Sequence, residues 1–375
     1  MNISEEVCIS LLRKSLWNTK AIIPNTFNDW EGVIKVAQNQ SVLGTLCHAV
    51  LSENFKIEIP QDFRDKLKLY LMRNVVLCNK LEAALVRVVT LLKNEGIPSI
   101  LLKGQGNARY YPIPEIRQCG DVDLYVGQNN YVKSYNILKK ISTVIDEKDA
   151  LDCGKHFHMS LGNIRFDIHR FSGLYSLSRY NHKYQEESNK GLTHNLVEMS
   201  FRETVVMTPS DEFNAYYIFN HLFNHFMTSG IGLRHLCDLM MFLHSKAGTL
   251  DLIELKRILL KMNMLYPWQV FGNVLVKKLG MNADEFPFYV NVSDRRSNKV
   301  LEYILKEGNF GYNSNYYKRK HGSYLKRKFN SLKWYFFRSL NMFDLFPKQS
   351  LRSLLNMMSL GLNIVFNEIK LTFGI

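Results

Sequence analysis

Two aspartates in one alternating segment are the side chains of this sequence best placed to do chemistry. Asp121 and Asp123 follow Gly120, and aliphatic residues alternate with them as far as Val126. In a β-strand, residues two apart project from the same face, so the pattern predicts two neighbouring carboxylates above a packed apolar face. Like charges at this spacing repel unless a cation lies between them, and a divalent metal ion that holds a phosphate is the natural candidate.

A predicted β-hairpin supplies a third carboxylate. Residues 155–161 and 164–169 alternate in polarity on either side of Gly162-Asn163, a dipeptide typical of two-residue hairpin turns. One predicted face is apolar, and the other carries His156, His158, Arg165, Asp167 and His169. Asp167 is therefore the candidate third metal ligand, and the alternative is that it pairs with the arginine or a histidine. For the histidines, structural hydrogen bonding is the commoner role.

Basic residues near these acids are candidates for holding phosphate groups. A short apolar run over residues 99–102 ends at Lys103-Gly104. A strand that turns at this point would offer a positive charge and an uncovered backbone to a triphosphate. Arg117 is close to the acids in sequence and is a candidate for neutralising charge in the transition state. Alternatively, the lysine is simply an exposed residue at a strand end.

The elements that must position these residues are mostly helices. Apolar periodicity predicts helical segments over residues 1–58 and a long helix from Pro60 to Gly96, which leads into the strand at 99–102. The chain is predicted to be helical again over 130–142 and from about residue 209 onward. In that last region Arg234 and Asp238 are four residues apart, and we interpret them as an ion pair along one helix.

Bulk composition adds an uneven distribution of charge. The 375 residues carry a net charge of +14, and from Arg295 onward there are 15 Lys/Arg against four Asp/Glu. Three aromatic-basic segments (316–320, 324–328 and 333–338) precede an apolar helical stripe that begins at Leu351. This end of the chain is expected to contact an anionic partner or membrane surface, or else to form a solvated basic face.

The remaining composition is that of a globular protein. Six cysteines are scattered without a CxxC pair, which argues against a zinc site or a disulfide framework and fits a reducing cytoplasm. No signal peptide and no spanning helix are expected. We therefore expect a cytoplasmic protein, peripheral to the membrane if its basic end binds lipid.

The order of the motifs resembles a known family. A glycine followed by a spacer, Asp-x-Asp and a later third Asp is similar to the polymerase-β-like nucleotidyltransferase superfamily. The whole series more closely resembles an uncharacterised nucleotidyltransferase family often found with polysaccharide and peptide-modification genes. Its motifs here are Asp29-Trp30, Lys103-Gly104, Tyr110-Tyr111-Pro112, Arg117, Gly120-Asp121-Val-Asp123, His156-x-His158, Phe166-Asp167-Ile-His169, Gly232-Leu-Arg234 with Asp238, and the phrase from Leu305 to Gly311. Unlike the wider superfamily, the chain has Lys-Gly at the first turn and a longer gap, 16 residues, before the acids.

The resemblance implies an α+β fold, in which a small mixed β-sheet nucleotidyltransferase core is flanked by N-terminal and C-terminal helical regions. We divide the chain into an N-terminal helical region (1–75), an α/β core (76–205), a helical domain (206–312) and a basic aromatic tail with an amphipathic helix (313–375). The implied site has Asp121, Asp123 and Asp167 as catalytic metal ligands for Mg²⁺ or Mn²⁺. Lys103, Gly104, Arg117 and Gly120 are the implied nucleotide-binding residues.

The predicted activity is Mg²⁺-dependent transfer of a nucleoside monophosphate from a nucleoside triphosphate to a hydroxyl of an unknown acceptor, and Asp167 would help to activate the acceptor oxygen. One alternative is a glycosyltransferase that uses Asp121 and Asp123 as a metal motif for a nucleotide sugar. That reading needs a nucleotide-binding βαβ fold before the acids, which the helical first 95 residues do not supply. The other alternative is a non-catalytic binding or scaffold protein that works through its basic C-terminal tail.

Overall fold

The computed structural model describes residues 1–52, 59–145, 154–175, 177–311 and 324–356, the last without the side chains of 324–329. Helices dominate this part of the chain. They are α1 (Ile3–Trp17), α2 (Trp30–Asn39), α3 (Leu43–Leu51), α4 (Gln61–Asn94), α5 (Gln105–Ala108), α6 (Tyr131–Lys139), α7 (Ser178–Gly191), α8 (Asp211–Thr228), α9 (Leu233–Ser245), α10 (Leu252–Lys261), α11 (Leu265–Leu279), α12 (Asp294–Glu307) and α13 (Tyr324–Asn341).

Seven strands form one mixed sheet. They are β1 (Ile100–Leu101), β2 (Asp121–Tyr125), β3 (Val144–Ile145), β4 (His156–Leu161), β5 (Ile164–His169), β6 (Val197–Phe201) and β7 (Thr204–Thr208), in the spatial order β3-β4-β5-β2-β1-β7-β6. The pairs β2–β5 and β1–β7 are parallel, and the other neighbours are antiparallel. The predicted α+β class is confirmed.

The two faces of the central strands differ as the alternation predicts. Val122, Leu124, Phe157, Phe166 and Ile168 are fully buried on one face, in a core that also contains the apolar side of α4 from Leu81 to Leu92. The opposite face carries the acids and histidines. Burying the aliphatic set stabilises the sheet by roughly 1.5–3 kcal/mol per side chain and thereby fixes which way the polar residues project.

The long helix α4 connects this core to a second one. Its first turns contribute Phe63 and Leu67 to a larger apolar cluster built from α1–α3, α8, α9 and α11, and its last turns pack on the sheet. Pro60 precedes its first residue, where the missing N–H has no cost, and the chain leaves it through Gly96 at a positive φ of 72°. The domain boundaries proposed from the sequence stay predictions.

The C-terminal helices pack on this larger core where their side chains are described. Arg338 on α13 donates to the carbonyl oxygen of Met227 at the end of α8, and Met342 and Phe346 are buried. Six large apolar side chains in the described part of this segment remain exposed, namely Phe336, Phe337, Leu340, Phe343, Leu351 and Leu355. The aromatic-basic segment 316–320, the side chains of 324–328 and the apolar stripe beyond residue 356 lie outside the described residues. Contact with an anionic surface therefore stays a prediction. None of the helices in the described ranges is long and apolar enough to span a bilayer.

Candidate active site

The three candidate acids lie on one face of two adjacent parallel strands. Asp123 on β2 is the direct register partner of Asp167 on β5, and Asp121 lies opposite Arg165. Neighbouring strands are about 4.8 Å apart, so residues in register share a small patch of surface. One donor atom of Asp123 and one of Asp167 lie within 4.8 Å of each other, and His169 completes this group. The shared face that alternation predicts is therefore present.

Asp123 is the buried member of the set. One of its carboxylate oxygens, Oδ1, lies 3.2 Å from Lys103 Nζ and 2.9 Å from His169 Nε2. Burial acts to raise the pKa of Asp123, but the charge of Lys103 and the hydrogen bond with His169 outweigh it and hold the pKa below its usual range. The other oxygen, Oδ2, is buried and has no hydrogen-bond partner among the residues that the structure describes. A buried anionic oxygen without a donor can accept a cation without losing a hydrogen bond.

Asp121 lies on the same face of the sheet, at the first residue of β2, and is half-buried. Burial and the negative charge of Asp123 raise its pKa, whereas Lys103 acts in the opposite direction. Two carboxylates that perturb each other are typical of a functional site. A cation bound between them would remove the repulsion and lower the pKa of Asp121.

Asp167 is surrounded by basic groups on its own hairpin. His158 Nδ1 lies 2.6 Å from Asp167 Oδ1, Arg165 Nε lies 3.3 Å from the same oxygen, and His156 Nε2 lies 4.0 Å from Oδ2. The sequence left open whether Asp167 faces the other acids or pairs with its neighbours. In the structure it does both, because β5 lies between β2 and β4.

Asp121 and Asp123 line a cavity of about 440 Å³ between the sheet and the helical core, whereas Asp167 is not among its lining residues. Lys103, Gly104, Asp121 and Asp123 form one wall, and residues of α8, α9 and the segment at Phe310 form the other. This volume is in the range of small-molecule sites. Gly120 also lines the cavity and is exposed there.

Gly104 turns the chain sharply between Lys103 and α5. Its φ of 69° and ψ of −111° are strained for an L-residue, and a Cβ at this position would lie 3.0 Å from the backbone oxygen of Asp121. The glycine thus lets the Lys103 loop lie directly against the first residue of β2. This close approach explains why the motif is Lys-Gly and brings the lysine to Asp123.

Arg117 is not free in the cavity. Its guanidinium donates to both carboxylate oxygens of Asp238, at 2.7 Å each, and also contacts Cys119 Sγ at 2.9 Å. Both members of the pair are buried, and Tyr111 donates a further hydrogen bond to Asp238. The expected ion pair between Arg234 and Asp238 is therefore wrong: Asp238 pairs across the fold with Arg117. A guanidinium held at both ends has little freedom to follow a phosphate, so Arg117 positions the loop before β2.

Arg234 lines the cavity, although the sequence predicted that it pairs with Asp238. Its Nη1 donates to the carbonyl oxygen of Gln118 at 2.8 Å, and its Nε is buried without a hydrogen-bond partner in the described part of the chain. No described carboxylate lies within 4.0 Å of it. Burial and the nearby Arg117 lower its pKa, yet a guanidinium stays charged at any physiological pH. The i, i+4 spacing of Arg234 and Asp238 predicts an ion pair on one helix, but the tertiary fold gives Asp238 a better partner in Arg117.

Histidines from the helical domain form the opposite wall. His221 and His235 line the cavity, and the ring of His225 lies 4.5 Å from that of His221. Burial, together with the charge of Lys103, lowers the pKa of His221, and burial lowers that of His225 to about 3. These rings are therefore neutral near pH 7 and can hydrogen-bond a neutral or anionic ligand. The four-residue spacing of His221 and His225 on α8 is visible in the sequence, but it matches that of ordinary core positions.

The donor set fits a divalent cation. The ligand atoms that lie within 4.8 Å of one another on this face belong to Asp123, Asp167 and His169, and Asp121 is not part of that group. The carboxylates supply hard oxygen ligands of the kind that Mg²⁺ and Mn²⁺ prefer, and Oδ2 of Asp123 is available without breaking an existing hydrogen bond. Asp121 has no ion-pair partner among the described residues and can also turn toward an ion.

One family model matches the part of the chain that holds most of the sequence motifs. Residues 27–270 match the model of a family described as uncharacterised nucleotidyltransferase. Among solved structures, the fold is similar to an antigenic nucleotidyltransferase-like protein from Paracoccidioides brasiliensis, with 12% sequence identity, a TM-score of 0.33, and coverage of 54% of this chain and 94% of that one. A search of curated proteins found no match.

Proposed function

Since the chain belongs to the uncharacterised nucleotidyltransferase family, whose name indicates a general nucleotidyl transfer role, we propose that it transfers a nucleoside monophosphate from a nucleoside triphosphate to a hydroxyl acceptor and releases pyrophosphate, by a polymerase-β-like mechanism. One observation carries this proposal. Asp121, Asp123 and Asp167 share one sheet face, and the first two line a cavity whose wall also includes the basic side chains of Lys103, Arg117, Arg165 and Arg234.

The cations define where the triphosphate lies. Lys103 reaches the acids at the turn formed by Gly104, and Arg234 faces the same space from α9. A triphosphate between them satisfies the unpartnered Nε of Arg234 and the positive charge of both groups. Arg117 contributes indirectly, since its pairing with Asp238 anchors the loop that leads to Gly120 and β2.

The acids hold the metal and the acceptor. Asp121, Asp123 and Asp167 would bind Mg²⁺ or Mn²⁺, which when bound neutralises the phosphate oxygens and lowers the pKa of the attacking hydroxyl. Asp167 lies on the far side of Asp123 from Lys103 and orients the acceptor oxygen. The wall formed by His221, His235 and Phe310 offers neutral rings, and we place the nucleoside or the acceptor against it.

Isothermal titration of ATP, CTP, GTP and UTP with Mg²⁺ tests the proposal. We expect at least one triphosphate to bind the wild-type chain, and binding to fall by tenfold or more in the variant that combines Asp121→Asn with Asp123→Asn, because the metal loses two charged ligands. Removal of Mg²⁺ with a chelator should have the same effect.

The matched control is Asp284→Asn, which removes an exposed carboxylate far from the cavity. It should bind like the wild type. Failure of every triphosphate to bind, or equal binding by the double variant and the control, would contradict the proposal and favour a non-catalytic role for the basic C-terminal segment. Manganese-dependent binding of a nucleotide sugar in place of a triphosphate would instead indicate a glycosyltransferase.

A further inference from the structure

A second donor group lies beside the three acids. One ligand atom from each of His156, His158 and Asp167 falls within 4.8 Å of the others, and all three side chains are half-buried. The group is local, because β4 and β5 pair in a register that places His158 directly opposite Asp167. It is thus built on a paired hairpin, a rigid element.

The donors differ in kind from those of the carboxylate site. Two imidazole nitrogens and one carboxylate oxygen suit Zn²⁺, Mn²⁺ or Co²⁺, whereas Mg²⁺ prefers an all-oxygen shell. Ligand atoms 2.0–2.2 Å from an ion are separated from one another by about 3–4 Å. His158 Nδ1 lies 2.6 Å from Asp167 Oδ1, and His156 Nε2 lies 4.0 Å from the other oxygen, Oδ2, so the donors lie close to that range before any ion binds.

The positively charged side chain of Arg165 already lies beside these donors. Arg165 Nη2 lies 3.0 Å from His158 Nδ1, and Arg165 Nε lies 3.3 Å from Asp167 Oδ1. The arginine side chain is 56% exposed, so it can leave the donors for solvent at little cost. His156 Nδ1, by contrast, is buried and has no hydrogen-bond partner within the described ranges.

From this geometry we propose that His156, His158 and Asp167 bind one transition-metal ion, and that Arg165 competes with the ion for the same donors. The site goes beyond the proposed nucleotidyl transfer and rests on it only through Asp167, which would belong to both. Its ion would set the orientation of Asp167 on the acceptor side of the cavity.

Titration of Zn²⁺ and of Mn²⁺ into the full chain, without nucleotide, tests the site. We expect about one equivalent of Zn²⁺ to remain after dialysis, measured by elemental analysis. The variant that combines His156→Ala with His158→Ala should lose at least tenfold in Zn²⁺ affinity, and a tenfold molar excess of Mg²⁺ should not displace the ion. The control that combines His182→Ala with His194→Ala removes two exposed histidines and should bind like the wild type.

Arg165→Ala gives an independent test that does not depend on how the double histidine variant folds. Loss of the competing guanidinium should tighten Zn²⁺ binding about two- to fivefold. Unchanged or weaker binding by Arg165→Ala, or equal binding by the histidine variant and its control, would overturn the inference. Zn²⁺ binding that survives in Asp121→Asn with Asp123→Asn, in a chain that binds no triphosphate, would support this site while the proposed function fails.

Discussion

Arg117 and Asp238 form a buried, two-pronged ion pair across 121 residues of sequence. The pair joins the loop before β2 to the middle of α9, and therefore fixes the sheet relative to the helical wall of the cavity. Tyr111 adds a hydrogen bond to the same carboxylate, so that Oδ1 of Asp238 accepts from two donors and Oδ2 from one. A site built from two regions needs such a link to keep its two walls at a constant separation.

Removing one partner of this pair should strongly destabilise the fold. Asp238→Ala leaves the buried guanidinium of Arg117 uncompensated, and we expect the free energy of unfolding to fall by about 3–5 kcal/mol. Chemical denaturation monitored by circular dichroism measures this loss.

The control is the double variant Arg117→Met with Asp238→Leu, which replaces the pair with apolar groups. It should be clearly more stable than Asp238→Ala alone, because no buried charge is left unpaired. A loss in the double variant that equals the sum of the losses in Arg117→Met and in Asp238→Leu would mean that the residues do not act as a pair.

Arg234 should matter for ligand binding and little for stability. We expect Arg234→Ala to weaken triphosphate binding about tenfold or more, because that is the affinity lost when a charged hydrogen bond to phosphate is removed. The melting temperature should change little. Isothermal titration beside thermal denaturation separates the two effects. Arg179→Ala removes an exposed arginine and is the control; equal affinities for the two variants would remove Arg234 from the binding site.

The alternation of side chains along the strands predicted which acids of this site share a face. Because side chains alternate with period two, the sequence alone placed Asp121 and Asp123 on one face and Asp167 on the polar face of its hairpin, and the register of β2 with β5 brings those faces together. What alternation cannot predict is the partner of a charge. Arg234 is four residues from Asp238 on α9, but a better geometry for that acid comes from Arg117 on a distant loop.

The hairpin of β6 and β7 could not be predicted from the sequence, for a different reason. Its two-residue turn is Arg202-Glu203, between the register partners Phe201 and Thr204, and Arg202 adopts a left-handed φ of 51°. Glycine and asparagine are the usual residues in that conformation, so their absence removes the signal by which the hairpin of β4 and β5 was found. The helices were easier, since their apolar faces recur every three or four residues and Pro60 and Gly96 mark the ends of α4.

Gly104 should be the glycine of this site that tolerates substitution least. Gly104→Ala forces a side chain into a strained φ and ψ and against the backbone oxygen of Asp121, and we expect it to cost about 1–3 kcal/mol of stability and to displace Lys103. Thermal denaturation together with triphosphate titration measures both effects. For Gly120→Ala, no described atom lies within 4 Å of the added Cβ, so that variant should melt like the wild type. Equal melting of the two variants would show that the Gly104 turn is unstrained.

Glu187 on α7 should make the stability of the chain depend on pH in the acidic range. Its buried carboxylate lies 2.5 Å from Arg257 Nη2 and 2.6 Å from Lys261 Nζ, both on α10. Burial acts to raise the pKa of Glu187, but the hydrogen bonds from the two cations outweigh it and lower the pKa.

A carboxylate whose pKa is lower in the folded chain stabilises the fold above its unfolded pKa of about 4.3, and that stabilisation disappears as the pH falls through the lower, folded value. We therefore expect Glu187→Gln to reduce the free energy of unfolding by about 1–3 kcal/mol at pH 7, and the difference from the wild type to shrink progressively below pH 4. Denaturant titrations at a series of pH values measure the difference. Glu186→Gln, which removes the neighbouring and more exposed carboxylate, should show little difference at any pH. A difference between Glu187→Gln and the wild type that stayed constant down to pH 3 would mean that the charge of Glu187 does not carry the interaction.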